Sequence, residues 1–187
     1  MSNWKEFFLK DIIDTNVSLY SKKDNYKFVN YLDTGNITEN CIKEIQYFDL
    51  NLKKLPSRAR RKTKYNSILY STVRPNQKHY GIIKSEINNL LVSTGFTVID
   101  VKTDIADPDF IYFFLTQKEV IDYLQAIAEQ STSTYPSIKV SDIENLKINL
   151  PTLKKQQQLS SILNNINKKI NINTYINDNL VFWKLNL

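Results

Sequence analysis

The sequence predicts an α+β fold, in which a small mixed β-sheet or open barrel with packed helices is followed by a long C-terminal coiled-coil helix. Strand-like segments occupy residues 26–101, whereas apolar residues recur at helical spacing only after Asp107. From Thr152 to the end of the chain there is no Gly or Pro. These observations divide the chain into a domain over residues 1–150 and a helix over residues 151–187.

Five segments rich in Val, Ile, Tyr, Phe and Thr predict the strands, and turn-forming runs separate them. The segments are Tyr26–Asp33, Cys41–Phe48, Ser67–Val73, Tyr80–Lys84 and Leu90–Val101. An amphipathic helix then begins with Asp107 as N-cap and Pro108 in its first turn, and it ends near Gln130. A loop of hydroxyl residues at 131–137 and a short alternating segment complete the domain.

The C-terminal helix carries a heptad-like seam with one stammer at its centre, where a polar Asn173 interrupts the apolar positions. The seam consists of Leu159, Leu163, Ile166, Ile170, Asn173, Ile176, Leu180, Trp183 and Leu187. At 1.5 Å per residue the helix is roughly 50 Å long, which exceeds what so small a domain covers. We therefore expect it to pair with another helix. The alternative is a terminal helix packed back on its own domain.

Positive charge is concentrated in one part of the chain. The formal net charge is +6, and between Leu50 and Ser85 there are ten basic side chains and no Asp or Glu. Residues 100–129 are net acidic instead. The distribution predicts that the basic part faces the phosphates of a nucleic acid.

Three groups of residues are candidates for DNA contact. The first, which holds phosphates or offers an Arg to guanine, is Arg58, Arg60, Arg61, Lys62 and Lys64. The second mixes donors and acceptors suited to base edges, and it is Arg74, Asn76, Gln77, Lys78, His79 and Tyr80. The third is Ser133, Thr134 and Tyr135 in the hydroxyl loop. The alternative for the first group is a solvated loop. For the second it is that His79 is a surface histidine of no importance, and for the third it is a linker.

Other classes of protein lack support in the sequence. One cysteine excludes an internal disulfide, no Cys/His spacing predicts a metal site, and no cofactor-binding motif occurs. Methyltransferase, nuclease and hydrolase motifs are missing or in the wrong order, so we expect no catalysis. No stretch approaches the length of a membrane span, and no apolar run resembles a signal peptide, which predicts a cytoplasmic protein.

Six landmarks, in this order, resemble the specificity subunits of type I restriction-modification systems. They are Asn30–Ile37 (NYLDTGNI), Ser57–Arg60 (SRAR), Ile68–Pro75 (ILYSTVRP), Val92–Val98 (VSTGFTV), the loop at 131–137 and Ile148–Gln156 (INLPTLKKQ). The chain departs from the family at Asn66-Ser67, where Gly-Asp is usual, and at the start of the last helix. It also resembles only half of a usual subunit, either a half-size subunit that dimerises or a fragment.

The resemblance implies a function. Such a domain reads one half of a split target in double-stranded DNA, its helix sets the distance between the halves, and the assembly recruits methyltransferase and restriction subunits. The helix is then expected to pair with a second copy or with a second specificity chain. The rival interpretation is a helical oligomerisation or adaptor protein whose basic surface is incidental.

Overall fold

The structure is a computed structural model that describes residues 4–130 and 135–185, and the backbone alone at 178 and 180–185. It contains twelve strands in these ranges. They are β1 (Lys5–Phe8), β2 (Ile13–Thr15), β3 (Phe28–Leu32), β4 (Ile37–Thr38), β5 (Cys41–Ile42), β6 (Gln46–Asp49), β7 (Ala59–Lys62), β8 (Ile68–Ser71), β9 (Tyr80–Ile82), β10 (Leu90–Ser93), β11 (Phe96–Val101) and β12 (Lys147–Leu150). The helices are α1 (Leu9–Ile12), α2 (Pro108–Leu115), α3 (Lys118–Glu129), α4 (Val140–Glu144) and α5 (Leu153–Leu185).

Two four-stranded sheets form the centre of the domain, in the orders β6-β3-β10-β7 and β2-β11-β8-β9. Among the strands of the described ranges only the β3–β10 pair is parallel, so the first sheet is mixed as predicted. Two short sheets, β1-β12 and β4-β5, lie beside them. The turn between β10 and β11 joins the two large sheets, because the chain leaves one sheet at Ser93 and enters the other at Phe96.

The largest apolar cluster lies between the β8-β11 sheet and helices α2, α3 and α4. Its centre is formed by Ile68, Tyr70, Ile99, Ile111 and Leu124, each fully buried. A second cluster fills the space around Leu69 and Phe96, and a third lies under β3 and β7. Burial of these side chains is the main source of stability for a domain of this size.

Helix α2 begins as predicted, because the Asp107 carboxylate accepts from the N–H of Phe110 and Pro108 occupies the first turn. The prediction of one helix as far as Gln130 was wrong. Thr116 closes α2 by bonding its hydroxyl to the carbonyls of Tyr112 and Phe113, and α3 begins at Lys118. Hydroxyl bonds of this kind compete with the helical ladder.

Asparagine shapes many of the turns. Eight described non-glycine residues have positive φ, and five of them are asparagines, the residue after glycine that adopts this region most readily. Asn66, at the turn where the family usually has glycine, has φ 68°. Asparagine thus provides at this turn the left-handed conformation that glycine adopts readily. The other three are Glu39, Arg74 and Lys78.

Candidate nucleic-acid interface

Strand β7 carries Arg60, Arg61 and Lys62 of the first candidate group, and Arg58 and Lys64 flank it. It pairs with β10 on one side, and on the other side the N–H of Tyr20 donates to the carbonyl of Arg60 (2.7 Å). Ala59 is buried while Arg60 is exposed, as the alternation of a strand requires. The backbone of the cluster is thus fixed rather than part of a free loop.

The two ends of this basic segment differ in charge. Lys62 donates to Asp24 at 2.5 Å, which lowers the pKa of Asp24 and raises the pKa of Lys62. Lys64 lies 3.3 Å from Asp100. At the other end, Arg58 and Arg60 are exposed and form no ion pair within the described residues. Free positive charge therefore remains only at the Arg58 end.

Arg61 points in the opposite direction from its neighbours. One terminal nitrogen of its guanidinium is buried and has no hydrogen-bond partner within the described residues. Burial also lowers the pKa of this group. Part of this guanidinium is therefore withheld from the surface.

A continuous set of backbone hydrogen bonds links Arg58 to the second and third candidate groups. The N–H of Thr94 donates to the carbonyl of Arg58, and the N–H of Thr72 donates to the carbonyl of Gly95, both at 2.9 Å. The N–H of Arg74 in turn donates to the carbonyl of Pro136, also at 2.9 Å. Arg58, Arg74 and the segment after the hydroxyl loop thus lie at one end of the domain, around the 93–95 turn.

We call this end the arginine face and define it by Arg58, Arg60, Thr94, Arg74 and Tyr135. Its central turn packs closely on Thr34, since a β-carbon at position 95 would lie 2.8 Å from the methyl group of Thr34 and would displace that side chain. The same contact places the Thr34 turn beside the face. The arginines and hydroxyl groups of this surface can donate hydrogen bonds to phosphate oxygens and to acceptor atoms on base edges. Its aromatic ring adds an apolar contact surface.

The loop from Arg74 to His79 is held between two other parts of the domain. Lys78 forms an ion pair with Glu39 at 2.6 Å, and the N–H of Asn76 donates to the side chain of Gln125 at 3.1 Å. The Nδ1 atom of His79 lies 2.7 Å from the carbonyl oxygen of Ile37. The loop is therefore anchored both to the β4–β5 hairpin and to helix α3.

Helix α5 is buried only where it begins. Gln156 is 1% exposed and bonds to the carbonyl of Pro151 and the N–H of Asp107, and Ser160 donates to the Asp107 carboxylate at 2.6 Å. The seam beyond these two turns is exposed. The exposed fractions are Leu163 39%, Ile166 48%, Ile170 55% and Ile176 47%. The described residues of this chain therefore leave that stripe about half exposed.

A family profile described as "Type I restriction modification DNA specificity domain" matches residues 1–181. The chain belongs to this family. The specificity subunit of the type I restriction enzyme HindI from Haemophilus influenzae is 34% identical over 180 residues, which are 96% of this chain and 39% of that protein. The specificity subunit of the enzyme MjaIX from Methanocaldococcus jannaschii is 26% identical over 141 residues, 74% of this chain and 28% of that protein.

Solved structures agree with the specificity-domain assignment in fold. The crystal structure of the HsdS subunit from Thermoanaerobacter tengcongensis has a TM-score of 0.75 at 22% identity, over 90% of this chain and 43% of that one. The type I S subunit from M. genitalium has a TM-score of 0.58 at 14% identity, over 91% and 40% respectively. These likenesses confirm the predicted α+β fold with its long final helix. The chain spans less than half the length of each of these relatives.

The specificity domain places the predicted site residues in different environments. Tyr80 is in the core, where its ring stacks on Tyr70 and burial raises its pKa to about 12. Asn76 and Gln77 are exposed, and Lys64 is exposed but paired. Ser133, Thr134 and the predicted seam residue Leu187 lie outside the described residues, as do the side chains of two further seam residues, Leu180 and Trp183.

Sequence reasoning did not select Thr34 and Thr94 as site residues. Thr94 is exposed on the arginine face, and Thr34 contacts the same turn. Both stand next to glycines, in the Thr34-Gly35 and Thr94-Gly95 pairs. A threonine next to a glycine in a turn is the sequence signal that could have selected them. Neither threonine, however, carries the charge that marks most of the other candidates.

Among the described residues, no group of three or more His, Cys, Asp or Glu side chains is arranged to hold a metal ion. In the same part of the chain, no helix is long and apolar enough to cross a membrane.

Proposed function

We propose that this chain reads one half of a bipartite DNA target within a type I restriction-modification complex, and that methyltransferase and restriction subunits supply the catalysis. The observation that carries the proposal is the arginine face, where backbone hydrogen bonds link the Arg58 and Arg74 segments through the 93–95 turn. Arg58, Arg60 and Arg74 form no ion pair within the described residues. The specificity-domain family assignment supports DNA reading over the rival adaptor function.

Selection from random duplexes tests this proposal. The full chain is incubated with a library of randomised double-stranded DNA, retained duplexes are sequenced, and affinity for the enriched duplex is measured at several salt concentrations. We expect one enriched motif and an affinity that falls steeply with salt, because neutralised phosphates release counterions. An adaptor with an incidental basic surface enriches no sequence, and that result would contradict the proposal.

We further propose that α5 pairs with the same helix of a second copy in antiparallel fashion. The exposed seam supports this, since a stripe of half-exposed Leu and Ile on a helix of 33 residues is stabilised by a partner helix. Each correctly read base pair contributes only ~1–3 kcal/mol, so one domain alone discriminates poorly within a genome. A symmetric pair reads twice as many bases and requires an inverted-repeat target with an unread gap.

Sedimentation of the chain at micromolar concentration tests the pairing. We expect a dimer for the wild type and a monomer for the double variant Leu163→Asp/Ile170→Asp. The matched control Ser161→Asp/Asn165→Asp places the same side chains at exposed positions away from the seam, and it should remain dimeric. A monomeric wild type would contradict self-pairing and leave a second specificity chain as partner.

Asn173 lies near the middle of the helix, where an antiparallel pair brings it close to its own copy. A polar residue at such a position fixes register at some cost in stability. Asn173→Leu should therefore tighten association in the same sedimentation experiment while allowing more than one register.

A further inference from the structure

Backbone strain is concentrated at one point beside the arginine face. Among the described residues with positive φ, the three that are neither Asn nor Gly are Glu39, Arg74 and Lys78, with φ of 47°, 47° and 56°. They are neighbours, because the N–H of Glu39 donates to the carbonyl of Lys78 and a single 3₁₀ turn, Pro75–Gln77, separates Lys78 from Arg74. Non-glycine residues keep this conformation only where the surrounding structure imposes it, and such places are typical of functional sites.

Three separate contacts impose the conformation of Arg74. The Arg74 N–H donates to the carbonyl of Pro136, and the N–H of Ile138 donates to the carbonyl of Thr72, so the chain on the N-terminal side is paired with the segment that follows the hydroxyl loop. The Gln125 side chain holds the turn from helix α3. The backbone at position 74 is thus fixed before any ligand arrives.

The side chain of Arg74 is positioned as well. Its guanidinium carbon lies 5.5 Å from the centre of the Tyr135 ring, within the range of a cation–π contact, and Tyr135 is 65% exposed. An arginine held over a ring by a cation–π contact keeps the donors of its planar fork available for a ligand. Exposed amide groups of Asn76 and Gln77 lie next to it on the same turn.

We propose that Arg74 reads a guanine of the target through its fork, and that Tyr135 is a positioning residue that holds the fork in place. This inference rests on the proposed function. A fork with two parallel donors matches the O6 and N7 acceptors of guanine in the major groove, and a fixed side chain loses little entropy on binding. A phosphate contact needs neither the strained backbone nor the ring, because any flexible cation provides it.

The experiment begins with the motif that the wild-type chain enriches from random duplexes. Affinities of each variant are then measured for that duplex and for duplexes with one base pair replaced at each position. The variants are Arg74→Lys, which keeps the charge but removes the fork, Tyr135→Leu, which removes the ring, and Tyr135→Phe, which keeps it. Tyr47→Leu is the control, because Tyr47 is similarly exposed at 61% but lies on β6, at the opposite edge of the sheet from β7.

We expect the wild type to prefer guanine at one position by roughly 10- to 100-fold. Arg74→Lys and Tyr135→Leu should both lose that preference at the same position and keep the others. Tyr135→Phe and Tyr47→Leu should retain it. The double variant Arg74→Lys/Tyr135→Leu should lose no more than either single variant, since both act through one contact.

Different failures have different meanings. A uniform loss across all duplexes with Arg74→Lys would make Arg74 a phosphate contact and overturn the inference while leaving the proposed function intact. Loss of the preference with Arg74→Lys but not with Tyr135→Leu would overturn the positioning role of Tyr135. A wild-type chain that enriches no sequence would overturn the proposed function itself, and the inference with it.

Discussion

The two ends of the basic segment around β7 carry the same charge, on arginines at one end and lysines at the other, but differ in their surroundings. At the Lys62 end, Asp24 and Asp100 approach from other parts of the chain and pair with the two lysines, whereas Arg58 and Arg60 have no such acid among the described residues. Lys78 and Lys84 are likewise paired, with Glu39 and Asp109. The stretch from Leu50 to Ser85 contains no acidic residue, but acidic residues from other parts of the chain pair with several of its lysines. Only part of its positive charge is therefore available to DNA.

The largest expected effect follows from this difference. Arg58→Gln/Arg60→Gln should lower duplex affinity roughly 10- to 100-fold at 0.1 M salt and reduce the slope of log affinity against log salt by about two. Lys62→Gln/Lys64→Gln removes the same charge from the paired end, and we expect a change below roughly threefold, because those lysines are already neutralised. Filter binding or fluorescence anisotropy at four salt concentrations measures both.

The control for nonspecific effects of net charge is Lys5→Gln/Lys10→Gln, on β1 and α1. These elements precede β2, which pairs with the Ile99–Val101 end of β11, away from the 93–95 turn. Equal losses of duplex affinity for Arg58→Gln/Arg60→Gln and Lys62→Gln/Lys64→Gln would show that ion pairing does not make the two ends of the segment differ in DNA binding.

A second effect concerns stability rather than DNA. The bond from Lys62 holds the pKa of Asp24 below its ordinary value of 3.8, so the ionised carboxylate stabilises the folded state above that pH. This contribution is lost as pH falls through the lowered pKa. Asp24→Asn should therefore unfold more easily than the wild type at pH 7, and the difference should shrink below pH 3.8. Denaturant unfolding followed by circular dichroism at both pH values measures it.

Asp104→Asn is the matched control, because Asp104 is exposed and forms no ion pair within the described residues. Its stability should follow the wild type at both pH values. A pH-independent difference for Asp24→Asn would mean that the pair with Lys62 does not contribute to folding through its charge.

The smallest effect is expected between the two ends, at Arg61. Arg61→Met keeps much of the volume and removes a desolvated charge, so the free energy of unfolding should stay constant or rise by up to about 1 kcal/mol. Duplex affinity should remain within roughly twofold, since the guanidinium is partly buried. A tenfold loss of affinity in the same binding assay would instead assign Arg61 to the interface.

Much of the fold was predictable where local pattern decides structure. The N-cap at Asp107, the strands at the centre of the domain and the long final helix follow from residue types and spacing alone. Leu90–Val101 was predicted as one strand, but it forms β10 and β11 in two different sheets. Ser93-Thr94-Gly95 interrupts the apolar run, and the glycine is the local signal for the turn between the two strands. The first segment, with β1, α1 and β2, was not predicted because elements of three or four residues carry almost no periodicity.

The sequence selected some residues of the arginine face but not Thr94, and it did not predict their arrangement. The sequence identified Arg58, Arg74 and Tyr135 separately, and their common location depends on the 93–95 turn that connects them. The partners of Lys62 and Lys64 come from positions 38 and 36 residues away. Such pairings leave no local signal, because they depend on which strands lie side by side.

Methylome mapping tests the central claim, that this chain reads DNA sequence, most directly. Genomic methylation is compared between a host that carries this gene, the same host without it, and the deleted host in which the gene is restored. We expect one split motif that is methylated with the gene, unmethylated without it and methylated again on restoration, and an inverted-repeat motif if this is the only specificity chain. Identical methylation in all three hosts would contradict the claim.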